Sequence, residues 1–376
     1  MQISEINYVN FRNLKDNNLK FSSKFNLFLG KNGQGKTSIL EAIYFSATGK
    51  SFRTPRQNEI INYGRERSGS FVVFEDSVSE KSLSVKLGNG KKEYSYNKKR
   101  VKYDEFHSKL NIVSFIPEDI SLLTGAPGVR RSFFDYEISQ ANNEYYQDLK
   151  NYTKLLKFRN KYLKEKKHND PMFNIYQNEF IKFGARIIKK RLDYVRNISI
   201  LLNLNYRKLF DDKKELRLKY SCFLGELKKV EIEQIENLIQ EKINKVFWQE
   251  KKYGFSMVGP QKDDFLFLLN DKEAKSYASQ GEKKSIVFSI KLSEIDMIIK
   301  EKKESPVFII DDISSYFDSL RKESIIKYFK KRDIQLFISS TTDLDMASKN
   351  FYIEKGDIYE EYDQCKRDNR GSCDQK

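Results

Sequence analysis

Hydrophobic and polar positions alternate over the first thirty residues. Ile3, Ile6, Tyr8, Val9 and Phe11, then residues 19–21 and 25–29, form short apolar runs broken by polar residues, the pattern of strands in a sheet. The last run leads straight into Gly30. Beyond it Ile39, Ile43 and Ala47 recur at helical spacing over residues 38–48, and Gly49 stands where that helix should stop. Between Phe71 and Val101 the period returns to two. Leu83, Val85 and Leu87 alternate with polar residues, Gly88-Asn89-Gly90 offers a turn, and Tyr94 and Tyr96 alternate on the return, which predicts a hairpin. Residues 111–116 make one more strand-like run, closed by Pro117.

The pattern changes near Asp119 and stays changed to about Lys252, with helical periodicity and little Gly or Pro. Tyr145, Leu149, Tyr152, Leu156, Arg159 and Leu163 step by four and three, as do Phe173, Tyr176, Phe180, Phe183 and Ile187. Asn169-Asp170-Pro171 breaks the two series apart, so the spacing predicts two helices folded on each other, either a short coiled coil or core helices of a subdomain. After Gly254 come a strand at 265–269, a helix from 281 to about 300, and strands at 307–310 and 336–338. The expected organisation is an α/β head of mixed sheet and helices, its first part (1–118) including a β-hairpin lobe and its second part at 255–362, with an inserted helical subdomain (119–254) and a frayed, polar tail (363–376).

Composition narrows the class. Among 376 residues, 39% are hydrophobic and 32% charged, with 22 Tyr and 28 Phe, which excludes a disordered chain and predicts an aromatic-rich core. Lys and Arg total 69 against 53 Asp and Glu, and the net charge of +16 suits a polyanionic partner such as nucleic acid or an acidic membrane surface; it equally suits a solvated lysine-rich face. No stretch approaches the ~18 apolar residues of a membrane span and the N-terminus lacks a signal-peptide pattern, so the expectation is a cytoplasmic protein with no membrane partner. Cys222, Cys365 and Cys373 share no metal-ligand spacing with each other or with His107 and His168, and support neither a zinc site nor a disulfide framework.

The candidate chemistry lies in three motifs. Gly30-Lys31-Asn32-Gly33-Gln34-Gly35-Lys36-Thr37 matches G-x-x-x-x-G-K-[ST] in full, between an expected strand and an expected helix. Glycines let successive N–H groups face phosphate oxygens, Lys36 reaches the β and γ phosphates of ATP, the Thr37 hydroxyl ligates Mg²⁺, and Ser38 opens the helix. Residues 306–312 form an apolar strand ending in Asp311 and Asp312. Asp311 is placed to hold the Mg²⁺ shell and Asp312 to position the attacking water as a base, although acid pairs also serve as plain caps. Ser279-Gln280-Gly281 precedes the helix of Ile286, Phe288, Ile290 and Leu292, where it serves as an N-cap worth ~1 kcal/mol or faces the γ-phosphate of ATP held by another subunit.

The order of P-loop, S-x-G helix and acid-terminated strand resembles the ABC-type ATPase heads of the SMC family. Further blocks narrow the resemblance to the RecF family: residues 10–13 (Asn-Phe-Arg-Asn), 40–44, 48–53, 115–119, 125–131 with Phe134-Asp135, and 277–281, which keep the family's order over nearly the whole chain. Such a resemblance implies an ATP-dependent homodimer with slow hydrolysis, in which each of two ATP molecules lies between residues 30–37 of one subunit and Ser279, Gln280 and Gly281 of the other. It also implies DNA binding at junctions of single and double strands, and cooperation with RecR and RecO in loading RecA. The chain departs from the family in Ser315-Tyr316-Phe317-Asp318, where Ser-Glu-Leu-Asp is usual, and in Glu282-Lys283-Lys284, which replaces a Gln/Arg-rich stretch. Lys50, Arg53, Arg130, Arg131, Lys157 and Arg159 are the candidate DNA contacts, since phosphates require only positive charge in a groove. A long-armed SMC protein, an ABC transport ATPase and a P-loop small-molecule kinase remain as alternatives; the short helical seams argue against the first, and the last leaves Ser279-Gln280-Gly281 without a role.

Overall fold

The structure is a computed structural model that describes residues 1–107, 109–344 and 348–360. The tail expected from residue 363, with Cys365 and Cys373, lies outside the described residues. Fifteen strands are described: β1 Gln2–Val9, β2 Asn17–Lys20, β3 Phe25–Leu29, β4 Arg67–Glu75, β5 Glu80–Gly88, β6 Lys91–Tyr96, β7 Lys99–Val101, β8 Ile112–Phe115, β9 Leu216–Ser221, β10 Asp264–Leu269, β11 Lys272–Glu273, β12 Val307–Ile310, β13 Leu336–Ser340, β14 Lys349–Glu354 and β15 Asp357–Tyr359. The helices longer than two turns are α1 Lys36–Thr48, α2 Pro127–Ala141, α3 Asn143–Lys164, α4 Pro171–Leu209, α5 Ile232–Tyr253, α6 Gln280–Lys302 and α7 Ser319–Lys330.

Contacts divide the chain into two compact units, residues 1–117 with those from 298 onward, and residues 118–297. The first boundary falls between residues 117 and 118. The second falls at 297 rather than 254, because β10 pairs antiparallel with β9 from Asp264–Ser221 to Leu269–Leu216 and so ties residues past 254 to the insert. The insert is not all helix.

The first unit holds two six-stranded sheets. One, in the order β2-β1-β4-β5-β6-β7, is antiparallel and includes the hairpin expected from Leu83, Val85 and Leu87. The other, β15-β14-β3-β13-β12-β8, is parallel except for the edge strand β15. Helix α1 packs on strands of both sheets, and twelve of its thirteen residues are buried, polar Ser38, Glu41, Ser46 and Thr48 among them. A helix enclosed on all sides needs no polar face, which is why its sequence shows only weak amphipathicity. Gly49 caps it in the left-handed conformation, donating to Phe45 O at 2.8 Å. Ile39, Ile43 and Phe45 fill the space between the sheets with Val72, Phe74, Val85 and Phe337. The parallel order sends the C-terminal ends of β3, β13 and β12 to one edge, where open α/β sheets bind ligands.

The second unit packs helices α2 to α5 around β11-β10-β9. Tyr152 stacks on Phe180 at 4.8 Å and Phe158 on Tyr176 at 5.3 Å, a pairing that falls along α4 as it rises along α3, so the two helices run antiparallel. Asp170 caps α4 by accepting from Met172 N. Cys222 is a free, buried thiol.

Candidate nucleotide-binding site

The P-loop connects β3 to α1, as the motif requires. Gly35 adopts φ 123, and a side chain at Gly30 would put its first carbon 2.6 Å from the Ile353 carbonyl oxygen, so both positions need glycine for backbone reasons. Lys36 Nζ donates to Gly30 O at 2.6 Å and Lys31 O at 3.0 Å, which folds the ammonium back over the loop. Burial lowers its pKa, while Asp312 and Asp311 oppose that shift. An arriving polyphosphate would also favour the charged amine. Gly30, Lys31, Asn32, Gly33, Gln34, Gly35, Lys36, Thr37 and Ser38 thus form one continuous turn into the N-terminus of a buried helix, with the macrodipole favouring an anion there.

Because β13 lies between β3 and β12, the acid pair stands one strand away from the P-loop. Thr37 Oγ1 donates to Asp311, 2.9 Å from Oδ2. A hydroxyl beside a carboxylate is a pair of hard oxygen donors, the ligand chemistry of Mg²⁺, which takes one or two protein carboxylates and completes its octahedron with phosphate and water. Among the described residues no group of three or more His, Cys, Asp and Glu forms a metal cluster, and such an ion needs none. Asp312 sits in the left-handed region at φ 53, a conformation costing a non-glycine residue about 1–3 kcal/mol. Its N–H donates to Ser339 Oγ at 2.7 Å, and Ser339 Oγ in turn donates to Asp311 Oδ1 at 2.5 Å. One hydroxyl on the middle strand therefore registers both aspartates. The Asp312 carboxylate accepts from Ser315 Oγ at 2.5 Å and Ser314 Oγ at 3.3 Å.

Asn32, Gly33, Gly35, Lys36, Thr37, Ser38, Asp311 and Asp312 line a cleft of about 340 Å³ together with Asn13 and Arg53. Asn13 Oδ1 accepts from Ser38 Oγ at 2.8 Å. The turn between β14 and β15 braces the loop from outside: Lys355 N donates to Gln34 Oε1 at 2.6 Å and Gly356 N to Gln34 O at 3.0 Å. Asn13 belongs to the family-like block at residues 10–13, whereas Ser339 and the 355–356 turn lie outside every motif. The only local hint is the run of hydroxyls at residues 339–342. In the departure from the family, Tyr316 and Phe317 are buried and pack on Phe115 at 4.6 and 5.8 Å, and Asp318 caps α7 by accepting from Arg321 N at 2.9 Å. The unusual rings thus fill core space beside β8, and the cap at the fourth position remains.

Ser279, Gln280 and Gly281 belong to the second unit, at the start of α6. Ser279 N donates to Glu282 Oε2 at 2.7 Å and Glu282 N to Ser279 Oγ at 3.3 Å, a reciprocal capping box. Lys214, 2.7 Å away, together with these bonds to Ser279, holds the Glu282 carboxyl at about 2. Ser279 and Gln280 are exposed, so the serine hydroxyl caps its helix and still faces solvent.

The profile of the RecF/RecN/SMC N-terminal domain family matches residues 2–355. The DNA replication and repair protein RecF of Alkaliphilus oremlandii is 34% identical over 366 residues, 95% of this chain and all of that protein. The chain belongs to the RecF family. A solved structure of the recombination mediator protein RecF with ATP in the RecFOR pathway superposes with a TM-score of 0.90 at 30% identity, covering 96% of this chain and 98% of that one. An SMC head bound to the C-terminal winged-helix domain of ScpA has a TM-score of 0.57 at 15% identity and shares the fold. The fold is therefore the ABC-type ATPase head.

Two of the six candidate DNA contacts are corrected by their surroundings. Arg130 is buried in a bidentate pair with Asp264 at 2.7 and 2.8 Å, and also donates to Gly125 O. Arg159 has no exposed surface and pairs with equally buried Glu250 at 2.6 Å, so no phosphate can reach it. Arg131 is half-buried and donates to Asp263 O at 2.7 Å. Lys50, Arg53 and Lys157 are exposed. Arg53 lines the P-loop cleft, 3.7 Å from Glu41, which puts it nearer to nucleotide chemistry than its sequence position suggests. Glu41 itself is buried and bound by both ends of the Arg12 guanidinium at 2.9 and 2.7 Å. Among the described residues, no helix is long and apolar enough to cross a membrane.

Proposed function

We propose that this chain is an ATP-gated DNA-binding protein of recombinational repair and replication restart that works in the cytoplasm. ATP pairs two copies around two nucleotides, the pair holds DNA at junctions of single and double strands without reading sequence, and slow, DNA-stimulated hydrolysis releases it. RecR is the direct partner, with RecO and RecA acting through it. The observation that carries the reading is the single hydroxyl of Ser339 registering Asp311 beside Thr37 and Asp312 one position on, in a chain of the RecF family.

In this reading the P-loop N–H groups and Lys36 hold the polyphosphate, and Thr37 and Asp311 hold Mg²⁺. The ion supplies charge neutralisation on the transferring phosphoryl group. Asp312 accepts a proton from, or orients, the attacking water, with its backbone fixed by Ser339 and its carboxylate by Ser314 and Ser315. Ser279 and the Gly281 N–H at the start of α6 complete the phosphate cage of the other copy. Because those contacts form only with a triphosphate, ATP shifts the monomer–dimer equilibrium.

The test is a titration of labelled gapped DNA with ATP or ADP at two salt concentrations, for wild type and Lys36→Ala. The expected result is ATP-dependent, salt-weakened binding that Lys36→Ala loses. Binding indifferent to both nucleotide and Lys36 contradicts the proposal.

A further inference from the structure

Helix α5 ends beside the turn that joins α3 to α4: the Phe247 ring lies 6.0 Å from Phe173, and Gly254 packs against Lys164. Its last turns and the following loop present three rings to solvent. Trp248, the only tryptophan of the chain, is 63% exposed, Tyr253 59% and Phe255 43%. Core packing does not account for them, since α5 buries Ile235, Ile239, Ile243 and Glu250, and Trp248 falls off that stripe. Lysines lie against each ring: Lys252 Nζ is 5.4 Å from Trp248 and 5.9 Å from Tyr253, and Lys262 Nζ is 5.5 Å from Phe255.

Along this segment the charge is mainly basic. Residues 242–262 contain five lysines and a single acid, Glu250, which is buried and paired with Arg159. Water-exposed rings are costly unless something covers them, and a rim of lysines favours a polyanion over an apolar protein surface. Duplex DNA hides its base faces inside the stack. An unpaired strand offers both what rings bind and what lysines bind: base faces for stacking and phosphates for charge.

We propose that the end of α5 is a single-strand binding surface, on which Trp248, Tyr253 and Phe255 stack unpaired bases while Lys252 and Lys262 take the phosphates. The proposal rests on the DNA-binding reading above and narrows it, naming the strand form and the residues that hold it.

Trp248 is its own reporter. Oligo(dT) of about 16 nucleotides, long enough for a stacking site, is titrated into the full chain while tryptophan emission is followed. In parallel, labelled oligo(dT), a duplex of equal length and gapped DNA are titrated into wild type, Trp248→Phe and the double variant Trp248→Ala/Tyr253→Ala. The expected result is saturable quenching that weakens with salt, a loss of oligo(dT) affinity of about tenfold or more in the double variant, near-normal affinity in Trp248→Phe, and unchanged duplex binding. Emission unmoved at saturating oligo(dT), or a double variant that binds it as wild type does, overturns the proposal. So does a double variant whose only defect is loss of self-association, which would make the surface a contact between copies. If gapped DNA still binds in any of these cases, only this inference fails; if no form of DNA binds wild type, the DNA-binding reading fails with it.

Discussion

Replacing Arg159 by alanine decides whether this residue holds DNA or holds the protein together. Its guanidinium lies 5.6 and 5.3 Å from the ring centres of Phe173 and Phe180, donates to Ser256 Oγ at 2.6 Å, and pairs with Glu250 at 2.6 Å. Neither side chain of the pair is exposed. Truncation leaves the Glu250 carboxylate buried with the Met257 N–H, 2.7 Å away, as a remaining donor. Removing one partner of such a pair costs about 3–5 kcal/mol. In a unit the size of residues 118–297, each kcal/mol lowers the melting temperature by about 2–4 °C, so the expected fall is on the order of 10 °C. Thermal and urea unfolding measure it, alongside DNA binding well below both transitions. Replacing both partners, as Arg159→Met/Glu250→Leu, should recover much of the loss, because an apolar pair of similar volume leaves no orphan charge. Normal stability with weakened DNA binding and a shallower salt dependence would refute the burial argument and return Arg159 to the DNA contacts.

Asp312→Asn should slow ATP turnover about a hundredfold or more while preserving ATP binding, and equal turnover in single-turnover assays would remove Asp312 from the chemistry. Ser339→Ala removes the hydroxyl shared by both aspartates; it should lower turnover by about tenfold, within the reach of a misplaced catalytic group, with nucleotide affinity largely kept, as separate binding and turnover assays would show. Glu282 titrates at about 2 instead of the usual 4.5 because Lys214 and Ser279 favour its charged form. Its contribution is thus complete above pH 4.5 and lost as pH falls toward 2. Glu282→Gln should therefore cost about 1 kcal/mol at neutral pH, allowing for solvent screening of a partly exposed pair, and progressively less in acid; a cost that stays constant with pH would contradict the ion-pair assignment.

What the sequence reveals follows the range of each interaction. The P-loop is legible because its chemistry is local: glycine positions, a lysine and a hydroxyl at fixed offsets between a strand and a helix. Asp311 is legible because an apolar strand precedes it. Ser339 is not, because its role depends on β13 inserting between β3 and β12, and strand order leaves no local mark. Nor is the 355–356 turn, which acts through pairing of β14 with β3. Arg159 stands at an apolar position of the series Tyr152, Leu156, Arg159, Leu163, and that spacing already placed it on the buried seam, whereas its charge pointed outward. Arg130 lies one turn before buried Phe134 for the same reason. Strand β9 hides in a helix-rich region, although Leu216, Leu218 and Tyr220 alternate inward along it.

The central claim is that the P-loop of one copy is completed by Ser279 and Gly281 of another, and turnover in a mixture tests it most directly. Lys36→Ala and Ser279→Arg should each be inactive alone. Mixed, they can form one composite site with an intact P-loop from the second variant and an intact serine and glycine from the first, so ATP hydrolysis and a nucleotide-dependent dimer should return. A mixture as silent as its components would mean that both halves of the site are needed on the same chain, and would contradict the account.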